Sequence, residues 1–114
     1  MSAPEISLLM PVHQGEATLP AALRCALGQA TRRSYELVVV DDGSRDRSRA
    51  LAEEAAARDP RVRVLARPHG GEAAALNTGW RAARGRYVGI VEADVELFPD
   101  WLERCAVVLD REPG

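Results

Sequence analysis

Aromatic side chains are scarce in this 114-residue sequence, at 4% of positions, so alanine, leucine and valine must supply most of any core. Lysine is missing altogether: all 15 basic side chains are arginine. Cysteine occurs twice, at Cys25 and Cys105, each inside an apolar helical pattern, and both are expected as buried free thiols. There is no CxxC pair, no HExxH and no cluster of histidine and cysteine, which argues against a structural zinc site. Long hydrophobic runs are lacking too. The longest, Ser7–Val12 and Leu37–Val40, are strand-sized, and no segment reads as a signal peptide or membrane span. The expected location is the cytoplasm, with any membrane association left to sequence outside the chain. Charge is balanced, with a formal net of −2, so nothing selects nucleic acid or an anionic membrane as the main partner.

What is present is a regular alternation. An apolar fraction of 46% in a chain of this length fits one folded domain, residues 1–114. Ile6–Val12 reads as a buried strand, followed by the loop His13–Glu16. From Ala17 to Ala30, Leu19, Leu23, Ala26, Leu27 and Ala30 recur at helical spacing, with Pro20 early enough to be harmless. Glu36–Val40 is a second strand, rich in β-branched residues, and it stops at Asp41-Asp42-Gly43-Ser44. Ser44 or Asp46 can cap a helix that runs to Arg58. Val62–Leu65 is the third strand and Pro68–Gly71 a loop. A third helix shows Leu76, Trp80 and Ala83 on one face and closes at Gly85 as a C′ glycine. Tyr87–Val91 is the fourth strand, ending at Glu92-Ala93-Asp94; a fourth helix begins at Pro99 and runs into 112–114. The pattern βαβαβαβα predicts an α/β fold: a mostly parallel sheet of alternating βα units with helices on both faces.

Ligands of parallel sheets bind beyond the carboxyl ends of the strands. Three polar groups fall there: His13–Glu16, Asp41-Asp42, and Glu92 with Asp94. The second and fourth strands can both neighbour the first, so their acidic ends would meet in one crevice. Carboxylates are the hard oxygen donors that Mg²⁺ or Mn²⁺ prefer, and a diphosphate would complete the shell. Asp42 suits a hydrogen bond from a base or ribose better than contact with phosphate, which would repel it. Each residue alone has an ordinary reading. Asp41 or Asp42 could hold a turn, Asp94 could be a solvated loop carboxylate, and Glu16 could be a helix-start acid. His13 and His69 could be plain loop residues, and Trp80 and Trp101 are expected to pack. Only their meeting at one edge argues for a site. Other nucleotide folds fit worse. No GxGxxG follows the first strand and no GxxxxGK[ST] occurs. A phosphoacceptor receiver domain would place its acidic pair after the first strand and would carry a lysine.

Together these residues resemble the start of a family 2 glycosyltransferase of the GT-A fold. Ser7–Glu16 is similar to the family's V-x-x-P-V-Y-N-G-E motif, with His13 for tyrosine and Gln14 for asparagine. Glu36–Asp46 matches the signature E-x-[IV]-V-V-D-D-G-S-x-D. Gly70–Gly79 resembles G-G-K-A-x-A-L-N-x-G, with Glu72 in place of lysine, and Glu92-Ala93-Asp94 aligns with the D-x-D metal motif. The resemblance implies an inverting transfer of a sugar from a nucleotide diphosphate sugar, expected to be a UDP-sugar, to an acceptor hydroxyl. It implies that Asp42 holds the base, that Pro11, Val12, His13 and Glu16 line the nucleotide site, and that Asn77 shapes it. It implies that Asp94, with Glu92 beside it, binds Mn²⁺ or Mg²⁺ bridging the diphosphate. Glu92 in place of aspartate is expected to loosen the metal geometry, and Glu72 to weaken contact with a polyanionic donor. No residue matches the family's catalytic base. The chain is therefore expected to be the donor-binding half of a longer domain whose remainder supplies the acceptor site. Two alternatives remain at this stage, a non-catalytic nucleotide-sugar-binding module and an inactive truncated fragment; a nucleotidyltransferase would need a glycine- and arginine-rich loop where His13–Glu16 stands.

Overall fold

The structure, a computed structural model, describes residues 3–111, so the tail expected at 112–114 lies outside the described residues. The alternation forms as the pattern requires: β1 (Ile6–Val12), α1 (Leu19–Leu27), β2 (Tyr35–Asp42), α2 (Ser48–Arg58), β3 (Val62–Arg67), α3 (Glu72–Ala82), β4 (Tyr87–Ile90) and α4 (Trp101–Arg111). All four strands are parallel, in the order β3-β2-β1-β4. The first strand therefore lies between the second and fourth. Burial explains the order: every residue of β2 is buried and all but one of β1, whereas β4 is only partly covered. Strands covered on both faces need unbroken apolar runs, and only β1 and β2 have them.

Alternate residues feed two cores. Ile6, Leu8, Met10, Leu37 and Val39 pack against Leu19, Leu23 and Ala26 of α1, Ala52 of α2, and Leu102 and Ala106 of α4. Leu9, Val38 and Val40 face the other way, onto Ala75 of α3. Helix α3 lies flush on the sheet because its contact stripe is Ala75 and Gly79; a Cβ on Gly79 would stand 3.3 Å from Leu9 and Val40. Two expectations change here. Trp80 is not a packing residue but is 64% exposed, because the close approach of α3 leaves no room for an indole. Trp101 does pack against the larger core. The cysteines are free thiols, but Cys25 is half-buried and Cys105 exposed, each one position off its helix's buried stripe.

Local signals resolve similarly. Neither Ser44 nor Asp46 is the N-cap of α2: that position is Arg47, with no side-chain cap, and Asp46 Oδ1 instead accepts from the Ser48 amide at 2.9 Å in the turn that leads into the helix. Helix α3 ends at Ala82, before the expected glycine. Gly85 instead permits a close backbone approach, since a Cβ there would fall 2.5 Å from the Ser7 nitrogen.

The amino edge of the sheet is closed by a network around Glu36. This carboxylate accepts from the Ser7 hydroxyl at 2.6 Å, the Arg84 amide at 2.8 Å and Arg63 Nη1 at 2.8 Å. Arg63 also donates to the Ala82 carbonyl, and the Gly85 amide to Ser7 Oγ. The network locks the end of α3 to β1, β2 and β3.

Candidate functional site

The carboxyl edge is built from the turns after all four strands. Val12 pairs with Asp41 across β1 and β2, and the Val91 amide donates to the Leu9 carbonyl, so the β4 turn begins beside the end of β1. The β1–α1 loop is sewn to the β2–α2 loop. The Gln14 amide donates to Ser44 Oγ, the Gly15 amide to Ser48 Oγ and the Glu16 amide to Asp46 Oδ2, while Gln14 Oε1 accepts from the Arg45 and Asp46 amides. Gln14 adopts φ 55° to do this, in the left-handed region. Thr18 Oγ1 donates to the Ala93 carbonyl at 3.0 Å and so ties the β4 turn to the start of α1.

Asp42, at the end of β2, is 2% exposed. Its Oδ1 accepts from the Gly70 amide at 3.0 Å and its Oδ2 from the Gly71 amide at 2.9 Å. Arg67 Nε stands 3.1 Å from Oδ1, and His69 Nδ1 lies 2.9 Å from Oδ2. Burial pushes the Asp42 carboxyl up, and the glycine amides and His69 outweigh it, holding the group below its ordinary value. Gly43 allows the loop to come this close: it has φ 71°, and a Cβ would meet the His69 nitrogen at 2.6 Å. The His13 ring stacks on the His69 ring, centroids 4.0 Å apart at 24°, and His13 Nδ1 lies 2.8 Å from the Asp42 carbonyl oxygen. The neighbouring Asp41 is 3% exposed and faces the other layer; its Oδ1 has no hydrogen-bond partner.

Two adjoining clefts open on this edge. One, of about 300 Å³, is lined by Pro11, Val12, His13, Asp42, His69, Gly71, Glu72 and Ala75. The other, of about 380 Å³, shares Pro11, Val12, His13 and Glu72 and is completed by Gln14, Gly15, Thr18, Glu92, Ala93 and Asp94. The acidic ends of β2 and β4 therefore open on two adjoining clefts and not on the single crevice expected, with Pro11, Val12, His13 and Glu72 common to both. Of the residues expected there, Pro11, Val12 and His13 line both clefts, Asp42 lines the first, and Glu92 and Asp94 line the second. Glu16 and Asn77 are exposed and line neither cleft.

Two groups could hold a cation. Glu92 and Asp94 are exposed oxygen donors, and among the described residues neither forms an ion pair. They suit Mg²⁺ or Mn²⁺ with a second polyanion to share the ion. His13, Asp42 and His69 place ligand atoms within 4.8 Å of one another. The two rings are stacked on each other, and Asp42 is already occupied by two amides and an arginine. The first pair fits a hard cation better. Sequence reading gave no individual role to Gly70, Gly71 or Thr18, whose contributions are a backbone amide or a single hydroxyl; the paired glycines that open the Gly70–Gly79 segment were the available signal.

The sequence pattern of Glycosyl transferase family 2 matches residues 7–114. An uncharacterized glycosyltransferase, EpsJ of Bacillus subtilis, is 40% identical over 91 residues, covering 80% of this chain and 26% of its own length. An undecaprenyl-phosphate 4-deoxy-4-formamido-L-arabinose transferase of Pseudomonas paraeruginosa is 39% identical over 103 residues, 87% of this chain and 30% of its own. Among solved structures, the mannosyltransferase PcManGT of Pyrobaculum calidifontis, in complex with GDP-Man and Mn²⁺, superposes with a TM-score of 0.86 at 26% identity, covering 96% of this chain and 33% of that one. TarS of S. aureus in complex with UDP has the same fold, with a TM-score of 0.86 at 22% identity over 96% of this chain and 33% of its own. The chain thus spans about a third or less of the length of these relatives.

Proposed function

Because the chain belongs to glycosyl transferase family 2 and has the GT-A fold, we propose that it binds the sugar donor of a glycosyl transfer, a nucleotide diphosphate sugar, along the carboxyl edge of its sheet. The observation that carries this reading is the pair of adjoining clefts, one around Asp42 and His13 and the other around Glu92 and Asp94. The base fits the first cleft, where Asp42 is an ionised acceptor for a ring N–H and His13 offers a planar face. The diphosphate fits the second. There Asp94, with Glu92, would hold a divalent cation, which neutralises charge on the departing nucleoside diphosphate. The rest falls to residues of the chain itself. The sewn loops fix Pro11, Val12 and His13 against the base, and Thr18 holds the turn that presents Asp94. Glu72 sets a negative charge beside both clefts, which disfavours a donor lacking a cation.

A uridine diphosphate sugar is the donor of this proposal, since the imide N–H of uracil matches the single carboxylate acceptor at Asp42. TarS with UDP and PcManGT with GDP-Man show both base types on this fold. Inverting transfer to an acceptor hydroxyl rests on the family resemblance, and no described residue is assigned as its base. Residues 1–114 are proposed as the donor side of a longer transferase domain. Among the described residues no helix is long and apolar enough to cross a membrane.

Calorimetric titration of UDP, with GDP in parallel and with and without Mn²⁺, tests the reading. UDP should bind in the presence of Mn²⁺, and Asp94→Ala should weaken it at least about tenfold, the effect of losing one charged ligand contact. Binding that ignores both Mn²⁺ and Asp94 would contradict the metal assignment. Tighter binding of GDP would overturn the uridine assignment alone.

A further inference from the structure

The base cleft already contains a planar ring. The imidazole of His69 lies against the His13 ring, 4.0 Å between centroids and 24° between planes. Its Nδ1 stands 2.9 Å from Asp42 Oδ2. A nucleobase bound as proposed above would make the same two contacts: a stack on His13 and an N–H donated to Asp42. The two rings cannot occupy one place.

We propose that His69 is an internal stand-in for the nucleobase, filling the base slot of the free chain, and that the donor nucleotide enters by rotating the imidazole out. The inference rests on the donor-binding reading and names a residue that sets the affinity of that site.

The loop is built so that the ring can leave while its backbone stays. The His69 side chain is 58% exposed, so rotation about its first side-chain bond leads to solvent. Its backbone is pinned independently, by the adjacent Gly70 and Gly71 amides on Asp42 and by the close approach to Gly43. Departure of the ring therefore breaks one stack and the hydrogen bonding at Nδ1, to Asp42 Oδ2 at 2.9 Å and to the Asp42 carbonyl oxygen at 3.2 Å, and leaves the backbone-to-carboxylate contacts of the loop in place. Asp42 does not collapse when this happens. It keeps both amides and the Arg67 ion pair at 3.1 Å, which hold it ionised and oriented. Oδ2 then has one acceptor position free for an incoming N–H.

Affinity for the nucleotide is lowered by the fraction of chains in which the slot is filled. Replacing the ring by a methyl group removes that competition. Exchange of one hydrogen bond and one stacked contact corresponds to roughly threefold to tenfold in the dissociation constant. UDP with Mn²⁺ should therefore bind His69→Ala roughly threefold to tenfold more tightly than the unsubstituted chain. His69→Ala that is folded and binds UDP no better, or more weakly, would overturn the stand-in while leaving the donor reading intact. Absence of nucleotide binding to either chain would remove the donor reading and the stand-in with it. A readout on the unsubstituted chain guards against a variant that fails to fold. The ring proton resonances of His69, shifted by the His13 stack in the free chain, should move to solvent-like positions as UDP saturates the site. Resonances of His69 that stay in place at saturation, while those of His13 shift, would equally overturn the proposal.

Discussion

Strand β2 carries a buried carboxylate at each end, and the two are held by different kinds of partner. Glu36, at the amino end, is 5% exposed and bonds to the Ser7 hydroxyl, the Arg84 amide and Arg63. All three sit in the framework of strands and the end of α3, and Arg63 is itself bound to the Ala82 carbonyl. Asp42, at the carboxyl end, is 2% exposed and bonds to two glycine amides and an exposed imidazole, with Arg67 beside it. Both carboxyls are held below their ordinary values: burial pushes each up, and the hydrogen bonds outweigh it. The electrostatics match, but the mechanics do not. At Glu36 no partner can leave without disturbing the fold, whereas at Asp42 one partner can swing into solvent. A buried charge is thus a structural lock at one edge and an available acceptor at the other.

The largest expected effect falls on the locked edge. Glu36→Ala strands Arg63 and two polar groups, and breaking a buried pair in this way costs about 3–5 kcal/mol; urea unfolding measures it. Whatever remains folded should bind nucleotide normally, and a loss of binding larger than the loss of folded protein would blur the division between edges. Asp42→Ala comes next. It leaves two glycine amides without an acceptor and Arg67 without its carboxylate, though Arg67 keeps the Pro68 and Ala74 carbonyls and Thr78 Oγ1; the loss is about 2–3 kcal/mol of stability, and UDP binding should be abolished even under conditions where the chain stays folded. UDP binding retained by Asp42→Ala would show that the carboxylate is a lock at this edge too.

Acid should act on both edges together. Each carboxyl binds its proton more weakly in the folded chain than in the unfolded one, so folding stability is present above the unfolded values and lost as pH falls through the folded ones. The urea midpoint should hold steady down to the ordinary carboxylate range and decline as pH falls below it, and Glu36→Gln should flatten that decline. A midpoint rising on acidification would contradict both assignments. The smallest effect is expected at Trp80, 64% exposed on α3. Trp80→Ala should change stability by no more than about 0.5 kcal/mol, whereas a buried tryptophan would cost about 3–5 kcal/mol.

How much of this could be read in the sequence depends on whether a feature is local. The strands, their order of appearance and the polar turns at their ends follow from apolar runs broken by Asp-Asp-Gly and Glu-Ala-Asp, and all eight elements form. That β2 and β4 can both neighbour β1 is an expectation from the sequence, and the order β3-β2-β1-β4 has them so. The stack of His13 on His69 could not be read, because it joins turns that meet only once β1, β2 and β3 are aligned in register. The Glu36 network was hidden for the same reason: Ser7 faces Glu36 across the β1–β2 register. Trp80 is expected to pack because it shares a helical face with Leu76 and Ala83, whereas the face of α3 that meets the sheet is the one bearing Ala75 and Gly79, four positions apart. Asn77 matched a motif, yet helical geometry turns it to the exposed side of α3.

The most direct test of the central claim is a map of amide resonances on adding UDP, followed by Mn²⁺ as a paramagnetic probe. Binding along the carboxyl edge predicts shifts at Val12, His13, Asp42 and Gly70–Gly71, and Mn²⁺ broadening centred on Glu92–Asp94, with Ser7, Glu36 and Arg84 undisturbed. Broadening centred on His13 and His69 would move the cation to the histidine pair, and shifts centred on Ser7, Glu36 and Arg84 would contradict the account.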